Sequence, residues 1–377
     1  MEQTLGLGRT MGDGAADFAA VSWRAFADRE GWDMLAALAA EPNPFAERWC
    51  LEAGLAALDP DGGVQLATLR EEGRLVGLLP LARCRRYEQY PFPHLTGWLH
   101  ANAFCGAPLV AAGHEHAFWR DLLAWADTHS GVALFLHLDG LPADGPLYAA
   151  LRDVCAVERR PGAVVHRIDR ALLASDLSPQ DYFDASMSGK KRKELRRQHA
   201  RLAELGDLAF ERRTDDEGLA QWTDAFLALE RAGWKGKLGS ALACDPAKAT
   251  FFRNALGGAA EHGRLERLSL TLDGAPVAML ANFITPPGAY SFKTAYDERL
   301  AKFSPGVLLQ RENLDMLARE DIAWCDSCAA ADHPMIERIW REKRRIVRVS
   351  VAIGGPLRRA IASIIFRAET GAPLEGL

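Results

Sequence analysis

The residues best suited to chemistry gather in the last third of the chain. Ser304-Pro305-Gly306 opens an amphipathic helix soon after an aromatic, alternating strand, Ala289 to Tyr296. Ser suits an N-cap, Pro the first helical position, and Gly lets a ligand approach the backbone. The amides of Gly306, Val307 and Leu308 are then expected to stand free, with the positive end of the helix dipole behind them. A pyrophosphate suits that place, with Arg299 and Lys302 adding charge. The same pattern also describes an ordinary capped helix. Asp326 closes a short strand, Ile322 to Cys325, and His333 follows in the next loop. Together they make a carboxylate–imidazole pair with His333 as base, or else a capping Asp and a His satisfied by backbone. Tyr296 is either a proton donor or core. Lys293 is expected on the face opposite Phe292 and Thr294, toward an anionic ligand or solvent. Trp234-Lys235-Gly236, following a helix, either lines an acceptor cleft or plugs the gap between the two halves of the chain.

The elements that would position these groups repeat along the chain. The first half reads as a hairpin (Val64 to Leu69, Leu75 to Ala82), short strands within Leu95 to Leu109, a helix from His114 to Thr128, a strand, a helix, and a strand from Ala163 to Ile168. The second half opens with Ser178 to Met187 and a basic helix from Lys190 to Leu205. It then runs through a strand and two helices to a hairpin (Leu265 to Leu272, Pro276 to Ile284), the strand at Ala289, the helix at Pro305, the strand at Ile322 and a last strand, Ile346 to Val351. Both halves therefore follow one order, hairpin, strand, helix, strand, helix, strand, with similar turns at Gly73 and Gly274. Residues 1 to about 30 are polar and Gly- and Ala-rich, and are expected to be ordered only in part.

Composition sets the class. With 377 residues, 49% apolar and 25% charged, the chain has the balance of a soluble globular protein of two domains. A net charge of -5 gives no global attraction to nucleic acid or membrane. No apolar run approaches the ~20 residues of a membrane span, and the N-terminus lacks the pattern of a secretory signal. Seven scattered cysteines point to a reducing, cytoplasmic compartment rather than a disulfide framework. Cys325-Asp-Ser-Cys328 has redox or half-zinc spacing, but no second pair completes a metal site, so no metal is expected. The run Lys190-Lys-Arg-Lys193, continued by Arg196, Arg197 and Arg201, is the concentrated positive patch. It reads as a solvated helix face or as a docking face for tRNA, an anionic glycan or a nucleotide phosphate.

Several short motifs in order, Asn43-Pro-Phe45, Gly77-Leu-Leu-Pro80, Ser188-Gly-Lys-Lys-Arg192, Gly233-Trp-Lys-Gly236, Tyr296-Asp297 with Ser304-Pro-Gly306, and Asp326-Ser-Cys-Ala329 with His333-Pro-Met335 and Trp340, carry a resemblance. Spanning about Trp32 to Val351, they resemble the BioF2-like (CelD-type) acetyltransferase family of the GNAT superfamily. The duplicated order is similar to the tandem GNAT arrangement of Fem-type aminoacyl transferases. The resemblance implies an α/β fold of two tandem GNAT-like domains, residues 1–175 and 176–377, each a mixed, mostly antiparallel sheet flanked by helices. It implies an acyl-CoA-dependent N-acyltransferase acting on an amino group of a small molecule, amino sugar or envelope precursor, with the first domain structural or acceptor-binding. By that reading acyl-CoA is the donor, Ser304, Gly306, Val307, Leu308, Arg299 and Lys302 hold it, and Asp326, His333 and Tyr296 are catalytic, Tyr296 serving the departing thiolate. Lys293, Trp234 and Lys235 face substrate. The usual GNAT glycine loop is represented here by Gly306 alone. A Fem-like transferase using aminoacyl-tRNA, and a non-catalytic GNAT-like binding protein, are the alternatives.

Overall fold

The computed structural model describes residues 17–371, and its elements follow the duplicated order of the sequence. The first half comprises β1 (Asp17–Ser22), α1 (Arg29–Leu38), α2 (Arg48–Leu58), β2 (Gln65–Glu71), β3 (Arg74–Cys84), β4 (His94–Gly97), β5 (Leu109–Val110), α3 (Glu115–His129), β6 (Phe135–Pro142), α4 (Pro146–Val157) and β7 (Gly162–Leu173). The second comprises α5 (Pro179–Ser186), α6 (Gly189–Ala203), β8 (Leu208–Arg213), α7 (Leu219–Ala232), α8 (Trp234–Lys237), α9 (Pro246–Glu261), β9 (Leu265–Leu272), β10 (Ala275–Thr285) and β11 (Gly288–Tyr296). It ends with α10 (Pro305–Glu312), β12 (Trp324–Asp326), β13 (Glu342–Ala352) and α11 (Pro356–Thr370). Residues 17–22, read from sequence as part of a loosely ordered leader, form an edge strand, because their small and apolar side chains pair in register with β2 from Asp17↔Arg70 to Ser22↔Gln65.

The local causes are legible. Glu72-Gly73 and Asp273-Gly274 all take positive φ, 51° and 79° in the first pair and 51° and 76° in the second. That is the geometry of a two-residue hairpin turn whose twist matches its strands. α1, α6 and α9 start on side-chain caps: Asp28 accepts from the Gly31 amide, Ser188 from Lys191, and Asp245 from Ala247.

All strands join one mixed, mostly antiparallel sheet, ordered β1-β2-β3-β4-β6-β13-β7-β12-β11-β10-β9-β8 with β5 on β3. The parallel contacts among the described strands are β4 with β6 and β11 with β12, one in each half. The last strand, β13, lies between β6 and β7 and pairs with both, while β7 also pairs with β12. Each half thus has a strand of the other next to its own closing strand. One hydrophobic cluster also spans both halves. Phe45 meets Phe104, Phe283, Tyr290 and Phe292 at ring-centroid distances of 5.5–6.1 Å, and the Tyr290 hydroxyl donates to the Pro42 carbonyl.

Candidate active site

β11 and β12 pair only from Gly288↔Trp324 to Tyr290↔Asp326. Beyond Tyr290 they part, and the opening is where the start of α10 and the segment after β12 come together. β11 carries a bulge here: Ala281 pairs with Lys293 and Asn282 with Ser291, leaving Phe292 as the extra residue. A bulge turns two successive side chains to one face. Lys293 therefore does not oppose Phe292, as strict alternation predicts, but lies on the same side. Its ammonium stands 5.6 Å from the Phe292 ring and 5.0 Å from Phe104, and donates to Asn102 Oδ1 at 2.9 Å. Burial, and then the positive charge of Lys235, push its pKa down to about 8. Thr294 does take the other face, where it accepts from Gln310 of α10.

α10 is held in place by buried amides. Asn282 donates to Glu266 and to Asn313, Asn313 to Gln310, and Gln310 to Thr294, at 2.8–3.4 Å. These residues escape a reading by periodicity because Glu266, Asn282, Thr294 and Gln310 find their partners on other elements. Asn282 inside Val-Ala-Met-Leu-Ala-Asn-Phe was the available signal.

The start of α10 differs from expectation. Ser304 occupies the N-cap position but is left-handed, φ 54°, and its side chain makes no capping hydrogen bond. The amides of Val307 and Leu308 do not stand free: both donate to the Ser304 carbonyl, at 2.9 and 3.0 Å. The tight turn at Ser304 brings that carbonyl under the first turn, so of the three expected donors only Gly306 keeps an uncommitted amide among the described residues. Arg299 is tied back to Asp297, with its Nη2 2.6 Å from Oδ2, while Lys302 is exposed. What Gly306 does is admit neighbours. A Cβ there would lie 2.8 Å from Met335 Sδ and 3.2 Å from the Tyr296 ring. The Tyr296-Asp297, Ser304-Pro-Gly306 and His333-Pro-Met335 motifs therefore meet at one point.

A second correction concerns the proposed carboxylate–imidazole pair. Asp326 is fully buried. Its Oδ2 accepts from Arg170 at 2.7 Å and Arg344 at 3.3 Å, and its Oδ1 from the Cys328 amide at 2.9 Å. No bond to His333 forms. Sequence reading missed both arginines, since Arg170 and Arg344 lie 156 and 18 residues away and each alternates with neighbours along its own strand. His333 is half-buried, and its Nδ1 is buried with no hydrogen-bond partner among the described residues. Burial, and then the charge of Lys235, lower its pKa, so its ring is neutral at pH 7.

Trp234 and Lys235 sit on the short helix α8, not on a loop, and border a cleft completed by Glu230, Thr294, Tyr296 and Glu298. Lys235 Nζ lies 2.8 Å from Glu230 Oε1, and the Trp234 amide donates to Glu298. The Trp234 side chain remains half exposed, a ring edge available to a ligand. α6 packs against the turn Glu298–Phe303 beside this cleft, with Gln198 donating to the Lys302 carbonyl. Cys325 and Cys328 are buried, and burial pushes both thiols well above their ordinary range, which suits inert core residues. Among the described residues no cluster of three or more metal-ligating side chains occurs, and no helix is long and apolar enough to cross a membrane.

Comparison with known proteins agrees with this architecture. Residues 189–334 match the acetyltransferase (GNAT) domain. The crystal structure of FemX superposes with a TM-score of 0.56 at 12% identity, covering 89% of this chain and 98% of the other. A conserved protein of unknown function from Bacteroides thetaiotaomicron gives 0.56 at 13% identity, over 87% and 98%. A tandem GNAT protein from the clavulanic acid biosynthesis pathway aligns over 90% and 99% at 19% identity, with a TM-score of 0.44. No curated protein sequence matches. The chain thus shares the fold of FemX and of the Bacteroides protein, and the stretch that matches the GNAT domain runs from the start of α6 into the His333-Pro-Met335 segment.

Proposed function

We propose that the protein is an acyl-CoA-dependent N-acyltransferase whose active centre lies where β11 and β12 part. The observation that carries this reading is the convergence of Tyr296, Gly306 and the His333-Pro-Met335 segment at that opening, beside the Trp234–Lys235 cleft. Acyl transfer to an amine needs a base for the ammonium proton and an acid for the thiolate. His333 is a half-buried imidazole whose pKa is held below its ordinary value, so its ring offers a neutral nitrogen. In the proposed step the amine nitrogen bonds the acyl carbon, the C–S bond breaks, His333 takes the amine proton and Tyr296 supplies one to sulfur. The donor phosphates would rest on the Gly306 amide, with Lys302 and the α6 cations supplying the charge that a richer set of amides supplies elsewhere. Lys293, Trp234 and Lys235 would border the acceptor, an amine on a small molecule, amino sugar or envelope precursor. Asp326 has a bracing role in this reading. The proposed division remains residues 1–175 and 176–377, with the first part structural or acceptor-binding and the protein cytoplasmic.

Titration calorimetry with acetyl-CoA tests the donor. Saturable binding is expected, weakened at least about tenfold in Gly306→Glu, which places bulk against Met335 and charge before the amide. No heat with wild-type protein at millimolar acetyl-CoA would remove the acyl-CoA reading. One observation favours a second reading, a Fem-like transfer from aminoacyl-tRNA: the basic helix α6 packs against the turn Glu298–Phe303 that borders the site. Aminoacyl-tRNA binding that weakens steeply with salt, without acetyl-CoA binding, would select it. Binding of a glycan with neither donor would select the non-catalytic alternative.

A further inference from the structure

We propose that α11 is an interfacial helix that docks the protein on an anionic lipid surface. Its inward residues Ala362 and Phe366 are buried against β7 and β13. Its outward stripe is apolar instead of charged: Leu357, Ile361 and Ile364 are 75%, 39% and 68% exposed, with exposed Ala360 and Ala368 on the same three- and four-residue spacing. Solvent-facing helix surfaces ordinarily carry polar residues at these positions.

The patch continues at both ends of the helix. At the start, Arg358 donates to the carbonyls of Gly131 and Ala133, which sets Val132, 75% exposed, beside Leu357. Toward the end, the Tyr87 hydroxyl donates to Glu369 at 2.7 Å, drawing the loop between β3 and β4, residues 85–93, alongside. That loop adds half-exposed Tyr90, stacked on Phe92 at 5.6 Å, and exposed Arg85 and Arg86, while α11 adds exposed Arg367. Among the described residues none of these three arginines is ion-paired; Glu88 and Glu369 are the carboxylates of the same rim. An apolar stripe edged by aromatic and cationic side chains is the pattern of a helix lying in the headgroup region, and the two signals reinforce each other. At 15 residues α11 lies on such a surface and does not cross it.

A second copy of the chain is the weaker occupant. A stripe of three large side chains offers a few hundred Å², against about 800 Å² per partner in a stable interface. A two-fold contact would also set the arginine rim against itself.

Flotation of the full chain with vesicles tests this. The protein is expected to float with phosphatidylcholine vesicles containing phosphatidylglycerol, to stay behind with phosphatidylcholine alone, and to be released by salt. The double variants Ile361→Glu/Ile364→Glu and Arg85→Glu/Arg86→Glu, which alter exposed side chains and should keep the wild-type circular dichroism, should each bind about tenfold less. Absence of binding to the anionic vesicles, equal binding to neutral ones, or wild-type binding by either variant would overturn the proposal. So would a wild-type dimer in sedimentation that Ile361→Glu/Ile364→Glu dissociates. The readout does not depend on acyl transfer, so its failure leaves the proposed reaction untouched.

Discussion

Asp326→Asn is expected to lower the free energy of unfolding by about 3–5 kcal/mol, measured as a lower urea midpoint by tryptophan fluorescence. The carboxylate at the end of β12 is buried against Arg170 of β7 and Arg344 of β13, two strands that lie side by side at the centre of the sheet. Arg170 also donates to the Phe104 carbonyl at 2.7 Å, and the Arg344 guanidinium lies 4.2 Å from the Trp324 ring centroid. One anion therefore fastens segments from both halves of the chain. Neutralising it leaves two buried guanidiniums with a poorer acceptor, which is the costly way to break such a cluster. Replacing all three by apolar residues, Asp326→Leu with Arg170→Met and Arg344→Met, should recover part of the loss, because the three positions then hold no unpaired charge. If Asp326→Asn unfolds at the wild-type midpoint yet loses turnover, the bracing role is wrong and the carboxylate acts in the chemistry.

The same residue shows where sequence reading stops. The periodicities at Ala289 to Tyr296 and from Pro305 onward locate a strand and the start of a helix, which runs as α-helix to Glu312 and then tightens over Asn313–Ala318, and the two Glu/Asp-Gly turns locate matching hairpins, because these features depend on neighbours within a few positions. The partners of Asp326 depend on which strands lie side by side, and nothing local says that β13 enters the sheet between β6 and β7. Lys293 fails for a related reason. Alternation assigns its face correctly only if the strand has no extra residue, and the bulge at Phe292 breaks the count. At α10 the sequence marks the helix start at Pro305, but the left-handed turn at Ser304 decides which amides remain uncommitted, and Ser is not a residue from which that conformation is expected. Tyr296, Gly306 and His333 were each visible as residue types; that Gly306 is the point where their segments touch required the fold.

His333→Ala is expected to reduce kcat about 10²–10⁴-fold while acetyl-CoA binding by calorimetry stays close to wild type. The imidazole is placed on the segment that meets Gly306 through Met335, and no residue that holds the donor in the proposed site bonds to it. The pH profile separates a base from a packing residue. Burial, and then Lys235, hold the His333 pKa below its ordinary 6.5, so the neutral, proton-accepting form persists to lower pH than for an exposed histidine. Wild-type kcat/KM should therefore rise through a single ionisation centred below 6.5 and then level off, and His333→Ala should be low and flat across that window. Lys235→Met provides the sign test. It removes a positive charge near the ring and also frees the negative charge of Glu230, now 2.8 Å from Lys235 Nζ. Both changes favour the imidazolium, so the acidic limb should move to higher pH. A limb that stays in place in Lys235→Met, or a His333→Ala enzyme that keeps wild-type kcat and its acidic limb, would show that the base is elsewhere.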